Sequence, residues 1–343
     1  MHRRIASTVL ALASATLPGC SAARSFEEKT VHFSNGSVAL AGSLFLPDGG
    51  GRHPAVVLFH GSGPQSRDET TARWFAAQGI AALAYDKRGV GESSGDFRQV
   101  PFTDLCGDGL AAVAFLKARS DIDPRRIGVW GLSQGGWLGP LAASQSRDVA
   151  FVIAVSGPGV SPGEQMIFYY GSQLRNQGLS ESAIAEASSL RRQVWQYLAT
   201  GTGYAEAKAA LARSRPQPWF AALKAQNDGL FALSDSEILD KPDTRSRIWF
   251  RVEVNYDPRA ALRKLAVPAL FLFGQRDQLV PIDKSVEIIR AMLSEGPPHD
   301  FTIKVFPGAD HQIEIIAADG ARQDAPRYLD TMRLWLRAKG IIQ

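Results

Sequence analysis

A Gly-x-Ser-x-Gly segment constrains the fold of this chain more than any other feature of its sequence. The segment Gly131–Gly136 has the sequence Gly-Leu-Ser-Gln-Gly-Gly and directly follows the apolar run Arg126–Trp130. A buried strand that ends in this motif and continues into a helix is typical of a nucleophile elbow, a strained turn that lifts the serine clear of a sheet. The turn needs small residues two positions before and after the serine, and Gly131 and Gly135 meet that need. We therefore expect Ser133 to be a catalytic nucleophile.

A candidate acid and a candidate base follow the serine, each after a later apolar run. The run 267–273 predicts a buried strand that leads to Asp277. The run 301–306 predicts another strand, which leads to His311. Because loops at the carboxyl ends of parallel strands share one edge of a sheet, we expect His311 to take the serine proton and Asp277 to orient its ring. Asp310 precedes His311, but neighbours on an extended loop point apart, so Asp277 is the predicted acid.

A glycine turn near the start of the chain supplies a candidate oxyanion hole. The apolar run 54–59 ends in the turn His60–Gly63, where small residues leave backbone N–H groups free. We expect the backbone N–H of Ser62 to be one donor to the oxyanion. The second expected donor is the backbone N–H of Gln134, the residue after the nucleophile.

The loop Asp86–Ser93 follows the next apolar run and is interpreted as a structural rim, with Asp86 paired to Arg88. Taken with the three motifs above, this loop resembles the α/β-hydrolase superfamily. The nearest resemblance is to bacterial esterases of the dienelactone-hydrolase and acyl-peptidase-like branch, and it covers residues of about 30 to 340 apart from a middle insertion. It implies a serine hydrolase that acts on carboxylic esters, in a superfamily that also holds thioesterases and peptidases.

Alternating strand and helix patterns predict an α/β fold with a doubly wound, mostly parallel sheet. A hairpin with its turn at Asn35-Gly36 precedes the alternation. Helical patterns replace it between residues 157 and 257, after the sixth predicted strand, and predict an inserted helical cap. The aromatic residues of this cap stand at helical spacing and are more typical of a cap core than of ligand contacts. The predicted division is a leader at 1–19, the core at 20–156, the cap at 157–257 and the rest of the core at 258–343.

The N-terminus has the pattern of a bacterial export signal. Two arginines precede the apolar stretch Ile5–Leu17, which is too short to span a bilayer. The stretch runs into Leu-Pro-Gly-Cys, which resembles a lipobox with Cys20 as the lipidated residue; an ordinary secretory leader is the alternative. We predict an exported periplasmic or cell-envelope lipoprotein that attaches to the membrane through this lipid alone. The second cysteine, Cys106, is expected to be packed inside a helix.

Several function classes are disfavoured by the sequence. The formal charge of +4 is not gathered into a basic run, so nucleic acid is not an expected partner. Motifs with metal-ligand spacing are absent, and neither a metal nor another cofactor is expected. Dehalogenases and epoxide hydrolases would need aspartate at Ser133. The expected partner is a small-molecule ester, while a peptidase, amidase or thioesterase and a non-catalytic binding protein on the same fold stay open, as does the oligomeric state.

Overall fold

A computed structural model of the chain describes residues 25–226, 229–241, 254–295 and 298–343. The predicted leader and Cys20 lie outside the described residues. The strands of the main sheet are β1 Phe26–Asn35, β2 Val38–Pro47, β3 His53–Phe59, β4 Ala81–Tyr85, β5 Ile122–Leu132, β6 Phe151–Val155, β7 Ala269–Gly274 and β8 Phe301–Phe306. A small second sheet pairs β9 Glu314–Ile316 with β10 Arg322–Asp324.

The main sheet has the strand order β1-β2-β4-β3-β5-β6-β7-β8. Strand β2 is antiparallel to both β1 and β4, and the pairs from β4 to β8 are parallel. The predicted hairpin is confirmed, since Asn35 pairs with Val38 across the turn. Strands β3 to β7 are buried over nearly their whole length, which explains their continuous apolar runs. The predicted α/β fold class with its mostly parallel sheet is confirmed.

Helices cover both faces of the sheet. They are α1 Glu69–Ala77, α2 Phe102–Lys117, α3 Gly135–Gln145, α4 Pro162–Asn176, α5 Glu181–Thr200, α6 Tyr204–Ser214, α7 Phe220–Lys224, α8 Asp235–Leu239, α9 Arg259–Lys264, α10 Ile282–Met292 and α11 Tyr328–Ala338. One hydrophobic cluster joins the sheet to α2, α3, α9 and α10, and another joins it to α1 and α11. None of the helices in the described part of the chain combines the length and the apolar character needed to cross a bilayer.

The order of the strands identifies one position in the sheet where a ligand is expected to bind. Strands β4 and β5 lie on opposite sides of β3, so the winding direction of the chain reverses there. In open parallel sheets, the crevice at such a reversal is the usual ligand site, at the carboxyl ends of the strands. The loop after β3 holds Ser62 and the loop after β5 holds Ser133.

Helices α4 to α8 lie between β6 and β7, at the position of the predicted cap. Their large aromatic side chains pack into a cluster of their own, as interpreted from the sequence; Trp195 is 4% exposed and Trp219 is 8% exposed. The helical pattern weakens near the end of this segment, where α7 is short and Gly229 adopts a left-handed φ of 64° before a 3₁₀ turn at Leu230–Ala232. The boundaries of the cap and of the core remain predictions.

Cys106 lies inside α2 and is fully buried. Burial raises the pKa of its thiol to about 12, so the thiol stays protonated and unreactive at neutral pH. The expectation of a packed cysteine is confirmed.

Candidate active site

Ser133 lies at the tip of a tight turn between β5 and α3. Its φ of 55° is left-handed, which is strained for a residue with a side chain, and the residue is half-buried. A Cβ atom on Gly131 would lie 2.4 Å from the carbonyl oxygen of Gly135, and a Cβ atom on Gly135 would lie 2.7 Å from that of Phe59. The turn is therefore closed by backbone packing that glycine alone permits, and it presents the Ser133 side chain at the edge of the sheet.

Asp277 and His311 are joined by a hydrogen bond of 2.7 Å between Asp277 Oδ2 and His311 Nδ1. The other oxygen, Asp277 Oδ1, accepts the backbone N–H groups of Leu279 at 2.7 Å and of Val280 at 2.9 Å. The carboxylate is thus fixed from both sides, and its side chain is completely buried. A ring that donates its Nδ1 proton to Asp277 has Nε2 left to accept a proton.

Asp310 does not contact the His311 ring. Its Oδ1 atom accepts the backbone N–H groups of Gln312 at 2.9 Å and of Glu314 at 3.1 Å, and its Oδ2 atom accepts a hydrogen bond from Arg322. These bonds shape the loop that carries His311. Asp277 is therefore the carboxylate that can orient the ring.

Two small residues bring the His311 loop to the edge of the sheet. A Cβ atom on Gly274, at the end of β7, would lie only 1.9 Å from the carbonyl oxygen of Asp310, so the loop passes directly against the strand. Ser156, at the end of β6, is fully buried and donates its hydroxyl to the carbonyl oxygen of His311 at 2.8 Å. Sequence reasoning missed Ser156, because no local motif marks it; its φ of 48° is visible in the structure alone.

Ser133 and His311 are tied to the same strand end. The backbone N–H of Ser133 donates to the carbonyl oxygen of Val155 at 2.8 Å, and the next residue, Ser156, holds the backbone of His311. Within the described residues, the Ser133 hydroxyl and His311 Nε2 form no hydrogen bond of their own. Catalytic hydrogen bonds are often long in free enzymes and tighten when substrate binds.

The expected oxyanion donors, Ser62 and Gln134, have backbone N–H groups that make no hydrogen bond within the described part of the chain. The neighbouring N–H of Gly61 is taken by the side chain of Gln65 at 2.9 Å. A buried lysine, Lys87, bridges the two segments that carry the candidate donors. Its Nζ donates to the Gly61 carbonyl at 2.9 Å and to the Gln134 side-chain oxygen at 2.8 Å. Lys87 belongs to the loop Asp86–Ser93, which is expected from the sequence to be a structural rim.

The predicted ion pair between Asp86 and Arg88 is wrong. Asp86 instead pairs with Arg67 at 2.6 Å, and Arg88 pairs with Asp108 of α2 at 2.6 Å. Burial alone would raise the pKa of Asp86, but hydrogen bonds from Arg67 and from the backbone N–H of Glu92 hold it below its usual range. Both pairs join this loop to distant segments, which a local reading of the loop does not reveal.

His60 supports the glycine turn as a neutral residue. Its Nε2 atom donates to the carbonyl oxygen of Tyr85 at 2.5 Å, and the side chain is buried. Burial lowers the pKa of the ring from 6.5 to about 4. The ring therefore stays uncharged at neutral pH beside Lys87.

A cavity of about 220 Å³ is lined by sequence neighbours of two candidate catalytic residues, although Ser133, Asp277 and His311 are not in its lining. Leu132 and Gln312, the neighbours of Ser133 and His311, both line it. Two threonines of α1, Thr70 and Thr71, also line it, and two exposed acids, Asp68 and Asp324, lie at its rim. The rest of the wall consists of aromatic and apolar side chains from β5, α1 and α11: Trp74, Trp130, Tyr328, Leu329 and Met332. A larger cavity of about 560 Å³ lies between α4, α5 and α10, and its lining includes no residue adjacent to Ser133 or His311 in sequence.

A comparison with protein families matches residues 35–308 to the X-Pro dipeptidyl-peptidase family S15. The chain belongs to this family. The match spans the Ser133 elbow, Asp277 and the sheet from the end of β1 to β8. The protein is an α/β-hydrolase.

Among curated proteins, Esterase EstD of Thermotoga maritima is 29% identical over 301 residues, which cover 84% of this chain and 60% of EstD. The quorum-quenching protein AidA of Acinetobacter baumannii is 33% identical over 129 residues, or 37% of this chain and 42% of AidA. The chain thus spans less than two thirds of these relatives.

Solved structures share the fold. An esterase of Pyrococcus furiosus superposes with a TM-score of 0.55 at 16% identity, covering 92% of both chains. A hypothetical protein of Pseudomonas aeruginosa gives a TM-score of 0.55 at 19% identity, covering 97% of this chain and 100% of that one.

Proposed function

We propose that this protein is a serine hydrolase that cleaves carboxylic esters through an acyl-enzyme intermediate. Ser133 is the nucleophile, His311 the general base and Asp277 the group that orients it. The observation that carries the proposal is the 2.7 Å hydrogen bond between Asp277 and His311. The loop that carries His311 is bonded to the end of β6, as is Ser133, whose φ is 55°.

The reaction has two halves. In the first, Ser133 Oγ attacks the ester carbonyl carbon, its proton passes to His311 Nε2, and the alcohol leaves with that proton. In the second, His311 takes a proton from a water molecule as the water oxygen attacks the acyl carbon. The acyl–Oγ bond then breaks, His311 returns that proton to Ser133 Oγ, and the acid leaves. The backbone N–H groups of Ser62 and Gln134 stabilise the oxyanion that forms in each half.

The cavity of about 220 Å³ is the proposed site for one side of the ester. Its position beside both Leu132 and Gln312 supports this choice over the larger cavity under the cap. Its aromatic wall suits an apolar acyl or alcohol group, as in most small-molecule sites. The acids at its rim, Asp68 and Asp324, favour neutral or cationic groups over anionic ones.

An ester is the preferred substrate because EstD is named an esterase and matches most of this chain. The esterase branch of the superfamily is part of the same proposal. Release of an X-Pro dipeptide is the second candidate, since the family description names that activity.

A substrate panel separates the two candidates. Purified protein is assayed on p-nitrophenyl esters, thioesters, simple amides and X-Pro p-nitroanilides, with Ser133→Ala as the inactive control and Ser182→Ala as the matched surface control. We expect the highest kcat/KM on an ester, with a burst of p-nitrophenol that measures the acyl-enzyme. Preference for X-Pro p-nitroanilides would replace the esterase with the peptidase, and inactivity on the whole panel would favour a binding protein.

The cellular location of the protein is also part of the proposal. We infer that residues 1–19 are removed and that Cys20 carries lipid, which tethers the enzyme to a bacterial membrane of the cell envelope. The support is the sequence pattern of the leader: Arg3 and Arg4 precede an apolar stretch that leads to Gly19-Cys20.

A further inference from the structure

We propose that Lys87 is a positioning residue for the oxyanion hole and holds both of its donors in the orientation that the reaction needs. The proposal rests on the proposed serine-hydrolase function and adds a residue to it. Lys87 lies directly after β4 and Asp86, and it is only 2% exposed. A lysine buried to this extent is rare unless its hydrogen bonds are satisfied.

Among the described residues, the Lys87 ammonium has three oxygen acceptors. Nζ donates to the carbonyl oxygens of Gly61 at 2.9 Å and Gly63 at 3.1 Å, and to Oε1 of Gln134 at 2.8 Å. Two of these acceptors belong to the loop after β3 and the third to the residue after the elbow serine. One side chain therefore bridges the two segments that supply the oxyanion donors.

The bond to Gly61 also sets the direction of the Ser62 N–H. A planar trans peptide holds its C=O and N–H groups in opposite directions. The carbonyl of Gly61 and the N–H of Ser62 belong to one such peptide, and the carbonyl points to Lys87. The N–H of Ser62 consequently points away from Lys87, while the N–H of Gly61 is already taken by Gln65.

The same bond strengthens the donor. A peptide carbonyl that accepts a charged hydrogen bond is polarised, and its own N–H then donates more strongly. The bond to the Gln134 side chain acts differently, since it fixes the residue whose backbone N–H is the second donor. Lys87 does not touch the substrate in this arrangement; it acts through Ser62 and Gln134.

The test is Lys87→Met, which keeps the length and apolar stem of the side chain and removes its donors. Lys117→Met is the matched control, because Lys117 is a half-exposed lysine on α2 that pairs with Asp148. Steady-state kinetics are measured on one oxo ester and on its thiono analogue, in which charge develops on sulfur, a poor hydrogen-bond acceptor. Removing one oxyanion donor costs about 100-fold to 1,000-fold in kcat.

We expect Lys87→Met to lower kcat on the oxo ester by about 10-fold to 100-fold, with KM nearly unchanged, because a misaligned donor loses part of this effect. The loss on the thiono ester should be several-fold smaller. A residue that merely stabilises the fold would lower both rates equally. Equal losses on the two substrates, or kinetics that match those of Lys117→Met, would overturn the proposal.

Gln134→Met provides a second test if Lys87→Met does not fold. This change keeps the backbone N–H and removes the side-chain oxygen that Lys87 holds. It should lower kcat by a smaller factor than Lys87→Met does, again more for the oxo ester than for the thiono ester. If the ratio of kcat on the two esters stays as in the wild type, the proposed role of the bond between Lys87 and Gln134 is contradicted. Failure of the proposed function itself is visible separately, because Ser133→Ala would then keep its activity.

Discussion

At the scale of single residues, the site depends on which of two neighbouring carboxylates reaches His311. Asp310 is closer in sequence, but its oxygens are used by Gln312, Glu314 and Arg322. Asp277 follows a different strand, and both of its oxygens accept hydrogen bonds from fixed partners: Oδ1 from two backbone N–H groups and Oδ2 from the His311 ring. The choice between them could be argued from the sequence, since adjacent side chains on an extended loop diverge.

Replacing Asp277 by Asn should lower kcat/KM by about 10⁴-fold, because the amide favours the wrong ring tautomer and cannot stabilise the imidazolium. Asp310→Asn is the matched change. It keeps an acceptor oxygen for the loop and should lower kcat/KM by less than about 10-fold. The kcat/KM of both variants is measured on the same ester. A larger loss in Asp310→Asn than in Asp277→Asn would show that the acid is misassigned.

The neutral state of His60 makes the fold sensitive to acid. Its pKa of about 4 in the fold lies below 6.5 in the unfolded chain, so the unfolded state binds more protons between these values. The contribution to the free energy of unfolding is complete above about pH 6.5 and is lost as the pH falls toward 4, by about 3 kcal/mol in total. Urea unfolding at a series of pH values measures this loss.

The variant His60→Gln can still donate to Tyr85 and does not titrate. Its free energy of unfolding should depend less on pH between 6.5 and 4 than that of the wild type. His32→Gln, at an exposed position on β1, should retain the wild-type dependence. Identical pH dependence in the wild type and His60→Gln would assign the acid sensitivity to other groups.

At the scale of elements, the central strands β3 to β7 were predictable because each contains an apolar run bounded by turn residues, whereas the short strands β9 and β10 were not predicted. The elbow and the loop positions of Asp277 and His311 followed from those central strands and from β8. What the sequence could not indicate are contacts between distant segments: Lys87 with Gln134, Arg88 with Asp108, and Ser156 with His311. Each joins loops from different strands, and local patterns do not encode such pairs.

The rim of the cavity beside the site should select substrates by charge. Asp68 and Asp324 both line this rim and form no ion pair within the described residues. A carboxylate on the substrate would meet their like charge, at a cost of about 1 kcal/mol per close pair in water. We expect kcat/KM for a neutral ester to exceed that for its carboxylate analogue by several-fold at low salt.

Asp324→Asn should reduce the difference in kcat/KM between the neutral ester and its carboxylate analogue. High salt should reduce this difference further, because it screens the charges. Asp319→Asn, on the exposed turn between β9 and β10, is the control and should leave the difference unchanged. The ratio of the two kcat/KM values is the readout. An unchanged ratio in Asp324→Asn would remove this cavity from the substrate site.

At the scale of the whole molecule, an α/β-hydrolase core is combined with a proposed cap and a proposed lipid tether. The core supplies Ser133, Asp277 and His311, and the helices between β6 and β7 bury their own aromatic cluster. Because Trp195 and Trp219 belong to that cluster, truncating either side chain to alanine should cost about 3–5 kcal/mol of stability. The fold class was predictable from the alternation of strands and helices, whereas the burial partners of the cap helices were not.

The tether is tested by expressing the full chain in a Gram-negative host with and without Cys20→Ser. A diacylated cysteine gains about 0.8 kcal/mol for each buried CH₂ group, enough for stable attachment. We expect the wild type in the detergent phase of a phase-partition experiment and Cys20→Ser in the aqueous phase. Equal recovery of both in the aqueous phase would favour an ordinary secretory leader.

The most direct measurement of the central claim is covalent labelling of Ser133. The protein is treated with a fluorophosphonate probe and digested, and the modified peptide is sequenced by mass spectrometry. We expect one adduct, on Ser133, that is absent from Ser133→Ala, slowed strongly in His311→Ala and unchanged in Ser182→Ala. Labelling that persists in Ser133→Ala, or an adduct on another serine of the native enzyme, would contradict the assignment of Ser133 as the nucleophile.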